Sequence, residues 1–471
     1  MDIITLNTDL NGNRSMTETQ LWDQALIEKY NYSGPRYTSY PTALEFNESY
    51  NEQDFLNATS RYPTQPLSLY VHIPFCHKLC YFCGCNKLIT RQTHKVTKYL
   101  DILDIEIAKR AKLFENRVVT QMHWGGGTPT FLTDQEISRL ITSLKSHFNF
   151  ADNAELSIEI DPREITPQTI DHLASIGFNR LSMGIQDFNH EIQNLINREQ
   201  DENLIRSLID QARKNRFHSI SLDLIYGLPK QTVASFTETL NKVIDISPDR
   251  LSVFNYAHLP SRFAAQRKIK DNDLPNAAQK LLILQTSIEK LTQAGYQYIG
   301  MDHFAKPTDE LALAQQNNKL HRNFQGYTTQ GDADLLGLGV SSISMLGDSY
   351  AQNQKDLKTY QQQVEQIGNG LWKGFTLDRD DLIRRDVIKQ LICHFYLDKK
   401  MIEQQYNINF DDYFAEDLAL LQPLQKDGLV IIQGDKIEVP LKGHLLIRNI
   451  CMCFDTYMRK MARQQQFSRV I

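Results

Sequence analysis

Long apolar runs are missing from this chain: none approaches the ~20 residues that a bilayer-spanning helix needs, so no membrane segment is expected. A basic excess is missing too. Lys and Arg number 51 against 56 Asp and Glu, a net charge of −5, which gives no support to nucleic-acid binding or to a role on an acidic membrane surface. Cysteine is scarce, 7 in 471 residues, and Met1 to Arg14 are polar and carry acids, unlike a signal or transit peptide. These features speak against a secreted disulfide framework. The expected location is the cytoplasm, where thiols stay reduced. Two phosphate-binding signatures are also absent. The glycines form neither G-x-G-x-x-G nor G-K-[ST], which weakens the usual dinucleotide and P-loop readings.

What is present is concentrated. Four of the cysteines fall within ten residues, Cys76-His-Lys-Leu-Cys80-Tyr-Phe-Cys83-Gly-Cys85, directly after the apolar stretch Leu67–Ile73. Three thiolates spaced C-x3-C-x2-C on one loop can hold three corners of a cubane iron–sulfur cluster, leaving the fourth iron open to a small molecule. A structural zinc site would pair two C-x2-C knuckles. The other cysteines, Cys393, Cys451 and Cys453, repeat no such knuckle, so zinc stays the minor alternative. Cys76, Cys80 and Cys83 are the candidate ligands. Cys85, one residue beyond Cys83, is read as a neighbour of the cluster and not a ligand.

The length is that of two or three domains, and the composition is that of an ordinary soluble globular protein. From Leu67 to Ala257, β-type runs alternate with helical patterns. The expected strands are Leu67–Ile73, Val118–Trp124, Glu155–Asp161, Arg180–Gln186, Ser219–Tyr226 and Arg250–Tyr256. Thr133 and Glu136 form a capping box before the stripe Ile137, Leu140, Ile141, Leu144. Thr166-Pro167 opens a helix that Gly177 closes. Six such βα repeats imply a parallel sheet, and right-handed crossovers would curl it into an open barrel. Strand phase then isolates Tyr70, His72, Glu159, Ser182, Gly184, Gln186 and Asp223 from the apolar face. Each singly could be a satisfied polar residue at a strand end. Together, on four strands in phase, they imply a polar, ligand-filled lumen open at the strands' C-terminal ends.

Outside the barrel the chain changes character. Residues 1–66 have weak periodicity and an unusual tract at Gly34–Pro41. Leu281, Leu284, Ile288 and Leu291 make a helix stripe ending at Gly295. After Leu371, helices precede a hairpin, Leu429–Ile432 and Lys436–Val439 around Gly434-Asp435, a winged-helix-like pattern. The expected domains are therefore an N-terminal extension (1–66) contributing to the substrate site, a partial barrel with its extension (67–370), and a mainly helical C-terminal domain (371–471). Without a basic excess, the last is read as a lid or packing unit.

The cysteine loop after the first strand and Trp124-Gly-Gly-Gly127-Thr-Pro-Thr130 after the second resemble the radical S-adenosylmethionine enzymes. Five tracts narrow the resemblance to the oxygen-independent coproporphyrinogen III oxidases (dehydrogenases): Pro35–Pro41, Tyr70–Cys76, Cys83–Cys85, Asp223–Pro229 and His321–Thr329. The first and last lie outside the generic core. The resemblance implies a [4Fe-4S] cluster and two S-adenosylmethionine molecules. It assigns Tyr70, Gly126, Glu159 and Ile343 to the molecule on the cluster. It assigns Phe82, Gly127, Thr128, Gln186, Arg198, Asp223 and Ala257 to the second.

The implied reaction uses a 5′-deoxyadenosyl radical to remove a β-hydrogen from each of two propionates of coproporphyrinogen III. Loss of carbon dioxide and an electron leaves vinyl groups, giving protoporphyrinogen IX. No acid–base pair is required, and none is nominated. The residue chemistry agrees with these roles. Carboxylates such as Glu159 and Asp223 accept from two ribose hydroxyls at once, and Arg198 suits the carboxylate of the cofactor. The glycine tract allows close backbone approach to a ligand. Arg36 and Arg322 are candidate partners for substrate propionates, with pairing inside the chain as the alternative. His72, His123 and Trp124 are read as core or lumen residues. A low-potential electron donor, such as a flavodoxin or ferredoxin, and a monomeric state complete the expectation. Two alternatives stand beside it. One is a haem-binding chaperone of the same superfamily, against which Cys85 and the two outer tracts speak. The other is a radical enzyme acting on another tetrapyrrole.

Overall fold

The computed structural model describes residues 21–460; Met1 to Arg14, the start of the N-terminal extension and the end of the C-terminal domain lie outside the described residues. A twelve-stranded sheet dominates the fold. In chain order its strands are β1 (Leu67–Ile73), β2 (Val118–Gly126), β3 (Asn149–Ile160), β4 (Arg180–Gln186), β5 (Ser219–Tyr226), β6 (Arg250–Asn255), β7 (Gln297–Gly300), β8 (His303–Ala305), β9 (Asp334–Leu338), β10 (Ile343–Leu346), β11 (Ser349–Asn353) and β12 (Leu371–Thr376). The spatial order is β12-β11-β10-β9-β1-β2-β3-β4-β5-β6-β8-β7, and the two end strands do not pair, so the sheet stays open.

Strands β1 to β6 run parallel in sequence order, and β9 adds a seventh parallel strand beside β1. The six expected strands are all present, three of them with the expected limits. The seventh is buried along all five of its residues, Asp334-Leu-Leu-Gly-Leu338, so it shows no alternation to read. Antiparallel strands extend both flanks. Leu371–Thr376, assigned to the C-terminal domain on sequence, instead pairs with β11 as an edge strand, and the helical unit begins at Arg379.

Helices connect the parallel strands, as right-handed crossovers require. Thr133 and Glu136 cap Asp134–His147 reciprocally, and Ile137, Leu140, Ile141 and Leu144 are its buried stripe. Thr166 precedes the helix Pro167–Ser175, and Gly177 takes φ +108° where the chain turns back toward β4. Ala277–Gln293 buries Ile283, Ile288 and Leu291. These apolar faces and the outward residues of the strands make one continuous core. The inward residues line a polar cavity.

The N-terminal tract straps the sheet to the C-terminal unit. Asn47 bridges to Gly374 on β12, Tyr40 O accepts from Tyr350 Oη at 2.9 Å, and the Arg448 guanidinium donates to the carbonyls of Gly34 and Pro35. In the C-terminal unit, Arg379–His394 packs on Ile447–Cys453. A three-stranded sheet joins Tyr396–Asp398, Lys436–Glu438 and Ile431–Gln433. The last two form the expected hairpin, with Gly434 at φ +55° in its turn. Among the described residues no helix is long and apolar enough to cross a membrane.

Candidate functional site

The cysteine loop leaves β1 at Pro74 and returns against β2. The glycine tract at the end of β2 is what lets it dock. Gly127 N–H donates to Ile73 O and Thr128 N–H to Phe75 O, both at 2.8 Å. A Cβ on Gly127 would lie 2.7 Å from Phe75 O, and one on Gly125 2.9 Å from the Glu159 carboxyl. Close approach is therefore real, but most of it is loop against loop. Two of the tract's N–H groups are spent on the protein and not held out to a ligand. His72 supports the same loop, with Nε2 3.0 Å from Asn86 O and Nδ1 3.1 Å from Tyr70 Oη.

Cys76, Cys80, Cys83 and Cys85 line one cavity of about 300 Å³, together with Gly126–Pro129, Glu159, Asp161, Gln186, Arg198 and Asp223. All seven cysteines are free thiols. Polar groups reach two of these sulfurs. Arg163 and Arg198 each donate to Cys80 Sγ at 3.4 Å, and Thr128 Oγ1 lies 3.5 Å from Cys76 Sγ. Burial pushes the Cys76 thiol up to about 11, so it stays a neutral thiol in the empty site, and a positive partner would favour its thiolate. The Cys85 thiol hydrogen-bonds to Cys83 and, with Lys87 nearby, holds Cys83 below the usual thiol range. Cys85 thus stands within reach of the same site. Among the described residues no three His, Cys, Asp or Glu side chains converge on a single ion. Ligands to different corners of a cubane need not converge on one point.

The cavity also carries the polar atoms that a zwitterionic nucleoside needs. Arg198 is 7 % exposed, not a solvated helix arginine. It donates through Nη1 to Asp161 at 3.2 Å and through Nη2 to Gly184 O at 2.6 Å, while its Nε has no acceptor among the described residues. Two arginines on Asp161 hold its carboxyl down at about 2 despite burial. Asp223 shows the reverse. Burial and then the charge on Glu159 push it up to about 6, although Ser182 and Ser252 donate to it. Glu159 lies 3.1 Å from His123 Nε2 and accepts from Gly126 N–H at 3.4 Å.

Below this cavity the lumen continues with a lining of Ser157, Ser182, Ser221, Ser252, His123, Arg180 and Arg250. Its polar character follows the strand phases. Glu159, Ser182 and Asp223 line both cavities, and Gly184 and Gln186 the upper one.

Eight of the eleven expected cofactor residues line the upper cavity; Tyr70, Ala257 and Ile343 do not. Tyr70 stacks on His123 at 6.1 Å between ring centroids. Ala257 is exposed, and Ile343 packs with Phe324, Met345 and Tyr350. Trp124 is fully buried core, whereas His123 is a lumen residue. Asp161, Arg163, Glu164 and Lys87 were not singled out on sequence, yet all four line the cavity. The available signal for Asp161 to Glu164 was position, the C-terminal end of a parallel strand. Arg36 is ion-paired with Asp302, the intrachain alternative. Burial, then Arg322 and Arg448, pull its guanidinium down to about 9. Arg322 makes no ion pair among the described residues, and its Nε and Nη1 have no acceptor there.

Comparison with known proteins bears on this arrangement. The Radical SAM superfamily description matches residues 70–243, and the HemN C-terminal domain matches residues 377–446. An oxygen-independent coproporphyrinogen III oxidase of Salmonella typhimurium is 66 % identical over 457 residues, covering 97 % of this chain and all of the relative. The Pseudomonas aeruginosa protein of the same description is 50 % identical over 462 residues, again 97 % of this chain and 100 % of its own. The solved structure of the Escherichia coli coproporphyrinogen III oxidase, described as a radical SAM enzyme, has a TM-score of 0.90 at 64 % identity, covering 93 % of this chain and 99 % of that one. The likeness therefore runs through the N-terminal tract and the C-terminal unit as well as the barrel, and the chain belongs to the family of oxygen-independent coproporphyrinogen III oxidases.

Proposed function

We propose that this chain oxidatively decarboxylates two propionates of coproporphyrinogen III to vinyl groups, giving protoporphyrinogen IX without oxygen. The observation that carries this reading is full-length likeness to that family, together with one cavity that holds the cysteine loop, the glycine tract and the lumen carboxylates. A [4Fe-4S] cluster with S-adenosylmethionine, when bound, supplies the one-electron chemistry that removes the propionate hydrogen. Cys76, Cys80 and Cys83 would hold the cluster. The Arg163 and Arg198 N–H groups that reach Cys80 Sγ would donate to the sulfur of a cluster held there.

Two S-adenosylmethionine molecules fit the spread of candidate residues. Tyr70, Gly126, Glu159 and Ile343 would serve the one on the cluster. Phe82, Gly127, Thr128, Gln186, Arg198, Asp223 and Ala257 would serve the second. Arg198 would use its unpaired Nε on a carboxylate, and Glu159 and Asp223 would accept from ribose hydroxyls. Arg322 is the readier propionate partner, because Arg36 must first leave Asp302. A low-potential electron donor such as a flavodoxin or ferredoxin would deliver electrons to the site.

The test is anaerobic incubation of reconstituted protein with coproporphyrinogen III, reductant and S-adenosylmethionine, followed by product mass. Loss of two carboxyl groups is expected. Tight haem binding with no turnover would overturn the reading in favour of a haem chaperone.

A further inference from the structure

The hairpin of His321–Asn323 and Gly326–Thr328 stands between two cavities. Tyr327 and Thr328 line the lumen on one side. On the other, Arg322 lines a separate cavity of about 230 Å³, walled by Tyr37–Tyr40 and by the helix Arg379–His394. Neither the cysteine loop nor the glycine tract contributes to its lining.

The charges in this second cavity do not balance. Arg322, Arg385 and Lys389 face Asp332 and Asp334. Asp334 is already taken, by Arg117 Nη1 at 2.6 Å and by Gly347 N–H at 2.7 Å, and Asp332 is exposed. Arg322 is 7 % exposed and lies 4.7 Å over the Tyr327 ring, an attraction through the face of its guanidinium. The in-plane Nε and Nη1 hydrogens stay without an acceptor among the described residues. Lys389 makes no ion pair among them either. A buried donor fork with nothing to donate to is rare in a finished structure and points to an anion that belongs there.

We propose that this cavity is a carboxylate-binding site formed by Arg322, Arg385 and Lys389, and that it seats a propionate arm of the tetrapyrrole that does not react. The inference rests on the function proposed above. Coproporphyrinogen III carries four propionates and loses two, so the remaining two must be recognised without being placed at the oxidising centre. The cavity has room for a carboxyethyl arm. Its wall is the hairpin that also lines the lumen, which puts a remote arm on the same element as the reacting ring. A free small carboxylate would satisfy the same donors, and the test separates the two sources.

The experiment measures binding of coproporphyrin III, the stable fluorescent form, to cluster-loaded protein by quenching, with mesoporphyrin IX, which has two propionates, as comparator. Lys389→Met and Arg322→Gln should each weaken coproporphyrin III by about tenfold and shrink its preference over mesoporphyrin IX. Lys389→Arg should restore both. Succinate competing on the unaltered protein but not on Lys389→Met would support one shared carboxylate site. Unchanged coproporphyrin III affinity in both variants, or succinate binding that leaves coproporphyrin III untouched, would overturn the proposal. Turnover of coproporphyrinogen III by the unaltered protein is run alongside. Its absence would sink the functional reading, whereas normal turnover with unaltered variant affinity would sink only this site.

Discussion

Asp223→Asn should make the empty protein more stable and the working protein worse. Asp223 is a half-buried carboxylate on β5 whose pKa is pushed from 3.8 up to about 6, first by burial and then by Glu159. A rise of about two units corresponds to roughly 3 kcal/mol of unfavourable charge in the folded state above that pKa. Water in the cavity and the weaker acceptor that Asn offers Ser182 and Ser252 reduce the net gain to about 1–3 kcal/mol. The sign with pH is definite. The native state binds this proton more tightly than the unfolded chain, so the penalty is complete above about pH 6 and fades as pH falls toward 4. The advantage of Asp223→Asn should therefore be largest near pH 7.5 and shrink by pH 5. Urea unfolding of the cluster-free protein under argon at both pH values measures it. Calorimetric titration of S-adenosylmethionine supplies the other half. Losing a charged acceptor for ribose hydroxyls should cost about 1.5–3 kcal/mol, or roughly ten- to a hundredfold in affinity. A variant that is less stable at pH 7.5, or a stability gap indifferent to pH, would refute the reasoning.

Replacing Cys76, Cys80 or Cys83 by Ser should abolish the brown absorption of reconstituted protein, and Cys85→Ser should keep it at least in part. Iron content equal to that of Cys80→Ser would make Cys85 a ligand. Gly127→Ala should cost about 1–3 kcal/mol by pushing a Cβ into the Pro74–Phe75 backbone, read as a lower melting temperature and poorer cluster retention. Arg198→Lys keeps the charge but loses the fork that spans Asp161, Gly184 O and Cys80. S-adenosylmethionine should bind about tenfold more weakly to it, and binding at the unaltered affinity would show that only charge matters there.

Much of the site was legible because its signals are local. The cysteine spacing lies on one loop, and period-two alternation in β3, β4 and β5 assigned faces before any pairing was known, whereas β1 is buried on both faces and its Tyr70 and His72 line neither cavity. That is why Glu159, Ser182 and Asp223 could be placed in the lumen from the chain alone. Capping residues likewise marked helix starts at Thr133 and Thr166, since those hydrogen bonds span only three residues.

Partners distant in sequence were decided by tertiary structure. The fully buried β9 has no alternation, and only its pairing with β1, more than 260 residues earlier in the chain, makes it part of the parallel sheet. The two candidate propionate arginines look alike as residues, yet Asp302 reaches Arg36 while no acid among the described residues reaches Arg322. Asp161, just beyond the end of β3, and Asp223, within β5, are the same side chain lining one cavity. Two guanidiniums hold one down, and burial beside a second carboxylate lifts the other. Side-chain type and spacing are properties of the chain. The charge each group meets, and hence its pKa and its freedom to bind, is set by what the fold brings against it.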